Sequence, residues 1–234
     1  MTDNQTFLLF AEDDQDAARI EAIDQLHNAT NYYTAEPIID QLLAHLDWPR
    51  GSRRMIDASC GDGAFLGRAL TKALTVHAFD DADLPNHIEG WEIHGYACSQ
   101  ARSRVASILI SFGRSTSQAA QLAERIVHNR DFLTEGPTEA TFDCFCGNPP
   151  YLRRANIPGL LRDEYDQCVP KYAAADMMHA FLERGLRTLR EGGQIGVIVA
   201  DRVLLNTTAG ELREQIGSRL AIEHVERLDS TTVL

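Results

Sequence analysis

Continuous apolar strands that alternate with amphipathic helices most constrain what this chain can fold into. Ile195–Ala200 is apolar throughout, and Phe142–Cys146 is a second strand of buried type. Between them, one face of a long helix carries apolar residues at helical spacing, namely Met178, Phe181, Leu182, Leu186 and Leu189. Strands separated by helices predict a parallel sheet covered on both faces. The fold class is therefore α/β, a doubly wound, mostly parallel sheet.

The same signals place the other elements. We predict helices over 14–26, after Thr34, and over 64–74, 98–109, 117–125 and 209–220, and strands over 54–58, 88–94, 126–129 and 222–228. Thr34 is the predicted cap of the second helix, with Pro37 in its first turn. Residues 75–87 form an acidic loop insertion broken by Pro85, and Gly192-Gly193 ends the long helix.

Charge and composition exclude several functions. The 234 residues hold 34 acids against 22 bases, a formal charge of −12 that repels a phosphate backbone. No apolar run reaches the roughly 18 to 20 residues of a membrane span, and the acidic first 20 residues do not resemble a signal peptide. We expect a cytoplasmic protein without a membrane partner. The five cysteines lack Cys-x-x-Cys spacing and the eight histidines lack metal spacing, so no metal site is expected.

A glycine turn between a strand and a helix marks a candidate ligand site in the stretch Met55–Phe65. Gly61 and Gly63, with Ser59 before them, allow a ligand to approach the backbone and the N–H donors of the following helix. Asp57, at the strand end, suits a ligand with a cationic amino group better than a pyrophosphate. The turn therefore favours S-adenosylmethionine over NAD.

Two further acidic positions complete the predicted cofactor site. An acid at the end of the second strand should hold ribose hydroxyls, and Glu92 and Asp80 compete for this role. Glu92 is preferred because a helix follows it within a few residues; its alternative is a solvated strand acid. After the third strand, Asp131 offers a carboxylate to an adenine amino group and Phe132 a ring to the base.

The most informative motif is Asn148-Pro149-Pro150-Tyr151, directly after the strand Phe142–Cys146. The two prolines stiffen the turn and leave carbonyls available as acceptors. The Asn148 side-chain oxygen and the Pro149 carbonyl can accept from a planar –NH2 group and stabilise it as it becomes positive. Tyr151 supplies a ring face for stacking.

Together these motifs resemble the gamma-class adenine-N6 DNA methyltransferases of restriction-modification systems, over about residues 32–228. The resembling segments are Tyr32-Tyr33-Thr34, Asp57-x-x-Cys-Gly-Asp-Gly-x-Phe and Asn148-Pro-Pro-Tyr. The resemblance implies a Rossmann-like class I methyltransferase with S-adenosylmethionine as cofactor. It also implies cofactor contacts from the Tyr33-Thr34 segment, Asp57, Gly61, Gly63, Asp131 and Phe132, with Asn148, Pro149 and Tyr151 around a flipped adenine. Asn148 is also a predicted cofactor-binding residue. The family's ribose acid would fall at Ala97, which cannot serve.

The domain organisation follows from the same comparison. Residues 1–30 are a polar helical lead and residues 31–234 the catalytic domain. After a strand such as 222–228, the resembling family adds a closing strand and a target-recognition domain, for which residues 229–234 leave no room. Either the chain is a fragment, or another polypeptide completes the sheet and supplies DNA recognition.

Three other functions stay open at the level of sequence. The Asn-Pro-Pro-Tyr turn also occurs in protein glutamine methyltransferases of release factors, because a glutamine amide resembles the edge of adenine. An rRNA base is a further substrate. A non-catalytic, cofactor-binding subunit of a larger modification complex is the alternative from another class. The target sequence, a cognate nuclease and the oligomeric state are not encoded in any pattern found.

Overall fold

The structure, a computed structural model, describes residues 3–32, 34–51 and 53–228, with side chains from residue 16 onward. Its centre is a five-stranded parallel sheet of order β3-β2-β1-β4-β5. The strands are β1 Met55–Asp57, β2 Ile88–Trp91, β3 Val127–His128, β4 Phe142–Gly147 and β5 Leu189–Val197. The predicted doubly wound α/β class is confirmed.

Eleven α-helices are assigned within the described residues. They are α1 Asp3–Thr30, α2 Glu36–Ala44, α3 Ala64–Thr75, α4 Leu84–His87, α5 Gly95–Ser111, α6 Thr116–Ile126, α7 Phe132–Glu135, α8 Gly159–Cys168, α9 Met177–Thr188, α10 Arg202–Leu205 and α11 Gly210–Arg219. None of these helices combines the length and apolar character that crossing a membrane requires.

Helices cover both faces of the sheet. Side chains alternate between the faces, so that Met55 joins the cluster formed with α2, α3, α5 and α6, whereas Ile56 joins the cluster formed with α1, α7, α8 and α9. Both side chains are fully buried. A smaller cluster of α9, α10 and α11 lies beside the second face. This arrangement leaves the carboxyl ends of the strands as the edge at which loops gather.

The strand order reverses between β1 and β4, and this defines the ligand-binding position of the fold. Asp57 at the end of β1 pairs with Cys146 of β4, and Asp57 also pairs with Gly90 of β2. In open α/β sheets, ligands bind outside the carboxyl ends of strands at such a switch point. The loops after β1, β2 and β4 are therefore the place to look for a site.

Two local predictions at the amino-terminal side need correction. Helix α1 is longer than the predicted 14–26. Thr34 does not cap α2: the capping position is Ala35, without a side-chain hydrogen bond, and the Thr34 hydroxyl is engaged by a distant residue instead. Pro37 does lie in the first turn, as predicted.

Gly192 and Gly193 do not end the long helix. Helix α9 ends at Thr188 because β5 begins directly at Leu189, which pairs with Phe142 of β4. Gly192 lies within the strand at φ +74°, where the register with β4 shifts. Of the predicted strand over 195–200, residues 195–197 are thus the end of a longer strand that begins at Leu189, and residues 198–200 lie outside it.

The predicted loop and the last predicted strand also differ. Residues 75–87 include the short helix α4, and Pro85 lies in its first turn rather than breaking the chain. Residues 222–228 form no strand: they run beside α2, where His224 stacks on His45 with 4.2 Å between ring centroids and Glu226 contacts Gln41. Contact with a helix takes the place of pairing with a strand.

Candidate functional site

The loop after β1 is a tight glycine turn at the switch point. Gly61 and Gly63 both have positive φ, +55° and +82°. At Gly63 a Cβ would come 2.9 Å from the backbone of Ala101 in α5, so the close approach of this loop to α5 requires glycine. The N–H of Gly63 donates to the carbonyl of Cys60 at 2.8 Å, and Gly63 begins α3. The turn thus presents the start of a helix at the sheet edge.

Asp57 lies beneath this turn and is 1% exposed. Its Oδ1 accepts from the N–H of Ser59 at 3.4 Å, while its Oδ2 is buried with no hydrogen-bond partner among the residues that the structure describes. Burial, reinforced by the nearby carboxylates of Glu92 and Asp62, raises the pKa of Asp57 from 3.8 to about 7. A buried carboxyl with an unused oxygen is suited to a cationic partner.

Glu92 follows β2 and connects two loops of the site. Its Oε2 accepts from the N–H of Gly61 at 2.9 Å, and its Oε1 accepts from the N–H of His94 at 2.8 Å. Burial raises the pKa of Glu92. The rival acid Asp80 lies between the end of α3 and the start of β2, so it lies on the side of the sheet where the strands begin, away from their carboxyl ends. Of the two, only Glu92 is at the glycine turn.

Asp131 follows β3 and caps α7 through a 2.9 Å hydrogen bond from the N–H of Leu133. Its Oδ2 is buried and lies 4.0 Å from Nη2 of Arg19 in α1. Arg19 in turn pairs with Glu164 of α8 at 3.2 Å. Burial raises the pKa of Asp131. Helices α1 and α8 therefore lie over this carboxylate, a relationship for which the sequence held no signal.

Phe132 occupies the core rather than the open edge. The ring is 1% exposed and packs against Trp91, Phe145 and Phe181, with centroid distances of 5.7–6.2 Å. Its face is therefore not presented to the cleft. The sequence predicts that the carboxylate of Asp131 and the ring of Phe132 contact the same ligand. In the structure the ring instead packs in the core.

The turn Asn148–Tyr151, for which the sequence predicts a catalytic role, directly follows β4. The backbone carbonyl of Asn148 is 3.4 Å from the hydroxyl of Ser59, which links the turn to the glycine loop. Pro149 is buried and Pro150 half-buried. The hydroxyl of Tyr151 contacts Oδ1 of Asn148 and lies 3.0 Å from the carbonyl of Ile198. Burial raises the pKa of Tyr151, so this hydroxyl keeps its proton at neutral pH.

The segment before α2 reaches the same turn. Oγ1 of Thr34 accepts from Nδ2 of Asn148 at 3.2 Å. The ring of Tyr32, which is 52% exposed, lies 6.3 Å from that of Tyr151. Tyr33, also predicted at the cofactor site, falls outside the described residues. The structure brings Thr34 to the amide of Asn148, 114 positions away in sequence.

Arg104 of α5 is a contributor that the sequence did not reveal. Its Nε donates to the carbonyl of Asp62 at 3.0 Å, and its Nη2 donates to the carboxylate of Asp62 at 2.6 Å. The guanidinium therefore holds Asp62, the residue between Gly61 and Gly63, through both its backbone and its side chain. One arginine among several in a helix gives no pattern by which this contact could be predicted.

The residues present fit S-adenosylmethionine, the cofactor that a methyltransferase requires. The unpartnered Oδ2 of Asp57 is suited to a cationic amino group. The turn at Gly61 and Gly63 leaves room at the backbone, and Gly61 has nothing within 4 Å of a Cβ position. In the described part of the chain, no group of three or more His, Cys, Asp or Glu side chains could hold a metal ion.

The architecture and the site define the class of protein. Over 78% of its length, the chain superimposes with a TM-score of 0.51 and 14% identity on half of a Listeria monocytogenes protein assigned to the class I S-adenosylmethionine-dependent methyltransferases. It matches 22% of the type ISP restriction-modification enzyme LlaGI, solved with a DNA substrate mimic, at a TM-score of 0.51 and 15% identity. The fold is that of the Rossmann-like class I methyltransferases.

The sequence then defines the family. The profile of the Eco57I restriction-modification methylases matches residues 77–233, and the chain belongs to this family. S-adenosylmethionine is the cofactor that family and fold together imply.

Curated relatives are consistent with this membership. The chain is 32% identical to the type II methyltransferase M.PaeR7I of Pseudomonas aeruginosa over 79% of its length, and 30% identical to M.XhoI of Xanthomonas vasicola over 88%. A 95-residue part is 30% identical to the restriction enzyme and methyltransferase RM.Eco57I of Escherichia coli. The chain spans only 33% of the length of M.PaeR7I and 39% of that of M.XhoI.

Proposed function

We propose that this chain is the catalytic part of a gamma-class DNA methyltransferase, which methylates N6 of an adenine flipped out of the duplex. The observation that carries the proposal is the position of Asn148 at the switch point. Its backbone carbonyl is joined to the glycine loop through Ser59, and its side-chain amide contacts Tyr151. Membership of a restriction-modification methylase family supports DNA as the substrate.

Different residues of the site would bind different parts of S-adenosylmethionine. Asp57 would bind the cationic amino group of the methionine end through its unpartnered Oδ2, and the backbone at Ser59, Gly61 and Gly63 would lie beside that end. Glu92 is the acid for the ribose hydroxyls, for which it would exchange its bond to the Gly61 N–H. Asp131 would accept a hydrogen bond from the amino group of the cofactor's own adenine. When bound, S-adenosylmethionine would supply a methyl group on a positively charged sulfur: the N–C bond forms as the C–S bond breaks, the sulfur leaves as a neutral thioether, and the methylated nitrogen then loses one proton to water.

The catalytic turn acts on the amine of the base. Oδ1 of Asn148 and the carbonyl of Pro149 accept its two N–H groups and hold the nitrogen in line with the methyl group. As the nitrogen becomes positive, both oxygens bind it more strongly, which stabilises the transition state rather than the ground state. Pro150 keeps the turn rigid, and the ring of Tyr151 stacks on the base.

A base inside a duplex cannot reach this buried turn, so the adenine must leave the stack, at a cost of a few kcal/mol. The chain does not supply an evident grip on the phosphates, since its net charge is −12. The matched relatives are more than twice as long. We therefore propose that DNA is held by a recognition domain or subunit outside these 234 residues, which also completes the sheet.

One experiment separates this function from its rivals. The chain is incubated with cofactor carrying a labelled methyl group and with DNA, RNA and protein pools, and the labelled products are digested and identified. Label in N6-methyladenine from DNA supports the proposal. Label in glutamine or in an RNA base overturns the DNA assignment. Cofactor binding without transfer to any pool, with the recognition domain or subunit present, favours a non-catalytic subunit.

A further inference from the structure

We propose that Thr34 is a positioning residue that orients the side-chain amide of Asn148. The inference deepens the proposed function, on which its catalytic consequence rests. Its geometric basis is the hydrogen bond from Nδ2 of Asn148 to Oγ1 of Thr34, at 3.2 Å. Thr34 acts through Asn148 and need not touch the base.

The amide of Asn148 is held from two sides. Its nitrogen end points to Thr34 and its oxygen end to the hydroxyl of Tyr151. The backbone carbonyl of the same residue accepts from Ser59. Three hydroxyl groups from three separate segments therefore surround one half-buried residue.

The direction of this amide decides whether the turn can bind an amine. An asparagine side chain carries an acceptor on one side and two donors on the other, and the terminal torsion that exchanges them is soft. With the oxygen toward the substrate, the amide accepts from the target –NH2. Rotated by half a turn, it would present N–H groups to N–H groups, and the interaction would become repulsive.

The Tyr151 hydroxyl alone does not settle this direction. It has one hydrogen, and it lies within reach of both Asn148 and the carbonyl of Ile198. If the Tyr151 hydroxyl donated its hydrogen to the carbonyl of Ile198, the hydroxyl oxygen would instead accept from the amide nitrogen of Asn148. That bond would favour the reversed orientation of the amide. In the structure Oγ1 of Thr34 accepts from Nδ2 of Asn148, and this bond opposes the reversal. A threonine hydroxyl can also donate, so this effect requires its hydrogen to be directed away from Asn148.

Thr34 is free for this task because it does not cap the helix that follows. The capping position of α2 is Ala35, which makes no side-chain hydrogen bond. The threonine side chain is half-buried, and its hydroxyl is directed at the loop after β4 rather than at its own backbone.

The test measures the amide directly. Exchange of the Asn148 side-chain NH2 protons with water is followed by NMR in the 15N-labelled chain, with Asn148→Asp used to assign the signals. Exchange should be slow in the wild type and in Thr34→Ser, which keeps the hydroxyl. In Thr34→Val, a near-isosteric change, it should quicken about 3- to 10-fold, the range that one neutral hydrogen bond is worth.

Tyr151→Phe is the matched control, since it removes the hydroxyl on the oxygen side of the amide. The slow exchange should survive this change. Unchanged exchange in Thr34→Val, or an equal loss in Tyr151→Phe, would overturn the assignment. Thr34→Ala serves as a second hydroxyl-free variant should Thr34→Val fail to fold.

Methyl transfer to adenine-containing DNA provides the functional half of the test. At saturating cofactor, Thr34→Val should lower kcat by a similar 3- to 10-fold, and Thr34→Ser should restore it. In the Asn148→Asp background the loss should shrink, because a carboxylate offers an oxygen in either orientation. A loss of cofactor affinity alone, with kcat and exchange unchanged, would make Thr34 a cofactor ligand instead. Transfer is assayed with the recognition domain or subunit present. A wild type without transfer under that condition would refute the proposed function, and the exchange measurement would still decide the role of Thr34.

Discussion

Gly147 and Asp57 lie so close together that a Cβ on Gly147 would come 2.5 Å from Oδ1 of Asp57. Gly147 is the last residue of β4 and has a φ of +133°. The catalytic turn starts with the next residue. The absence of a side chain at Gly147 is thus what allows the turn and the buried carboxyl to share one small volume at the switch point.

Gly147→Ala should therefore destabilise the chain more than a glycine change that only strains the backbone. Gly192→Ala is the matched control, because Gly192 also has positive φ but nothing within 4 Å of a Cβ position. Backbone strain of about 1–3 kcal/mol is common to both. The overlap with Asp57 should add about 1–3 kcal/mol to the loss at Gly147, measured as the free energy of unfolding in urea. Equal losses would show that the two groups are not in contact.

Binding of S-adenosylmethionine should depend on pH through Asp57. Its pKa is raised to about 7, so the carboxyl is largely protonated below that pH and cannot attract a cation. Affinity for the cationic amino group should rise with pH up to about 7 and then level off. Calorimetry of Asp57→Asn across the same range should give a flat profile, and a wild type that is equally flat would contradict the assignment.

The same shift has the opposite effect on stability. Between the ordinary pKa of 3.8 and the folded value of about 7, the folded state binds more protons at Asp57 than the unfolded state. The free energy of unfolding should therefore fall as pH rises from about 4 to about 7, relative to Asp57→Asn. Urea denaturation of both proteins at a series of pH values measures this difference.

The sequence predicted those parts of the site that depend on strand ends. Asp57 ends a buried strand, and Glu92 and Asn148 each directly follow one. Because the carboxyl ends of parallel strands meet on one side of the sheet, position along the chain was enough to bring these residues together. Contacts between segments that are distant in sequence could not be predicted in this way. Arg19 over Asp131 depends on how the first helix crosses the sheet, which no local pattern records.

The errors in predicting the fold have a similar origin, since they too depend on contacts between segments. A run such as 222–228 has strand composition, but a strand exists only where a neighbour pairs with it. Here Ile222 and Val225 are exposed, and the segment contacts α2 instead. Glycines after an amphipathic helix predict a helix stop, but a glycine at positive φ, such as Gly192, is equally compatible with an irregular position in a strand.

Arg104→Met should weaken cofactor binding without direct contact to the cofactor. The change keeps most of the aliphatic stem but removes the two hydrogen bonds to Asp62, so the glycine turn loses its anchor. The guanidinium is partly exposed, so the cofactor Kd should rise only about 3- to 10-fold. Arg68→Met is the control, because Arg68 pairs with Asp40 on the same side of the domain without touching the turn. Equal effects of the two changes would rule out the anchoring role.

Phe132 should contribute to stability more than to cofactor binding. Removing its buried ring in Phe132→Ala should cost about 3–5 kcal/mol of unfolding free energy. Phe112→Ala, at a half-buried ring, should cost less. The milder Phe132→Leu should remain folded and keep the cofactor Kd within about twofold. A stable Phe132→Leu that has lost cofactor affinity would instead place the ring against the cofactor's base, as the resemblance implies.

Asn148→Ala should separate cofactor binding from methyl transfer. The change removes the oxygen that is proposed to accept from the target amine and to stabilise its developing charge, so transfer should fall by about 100- to 1,000-fold. Asp57 and the glycine turn are untouched, and calorimetry should give a cofactor Kd within about twofold of the wild type. Asn156→Ala, at an exposed asparagine after the same turn, should leave both quantities unchanged. A large loss of cofactor affinity in Asn148→Ala would mean that the amide holds the cofactor rather than the base.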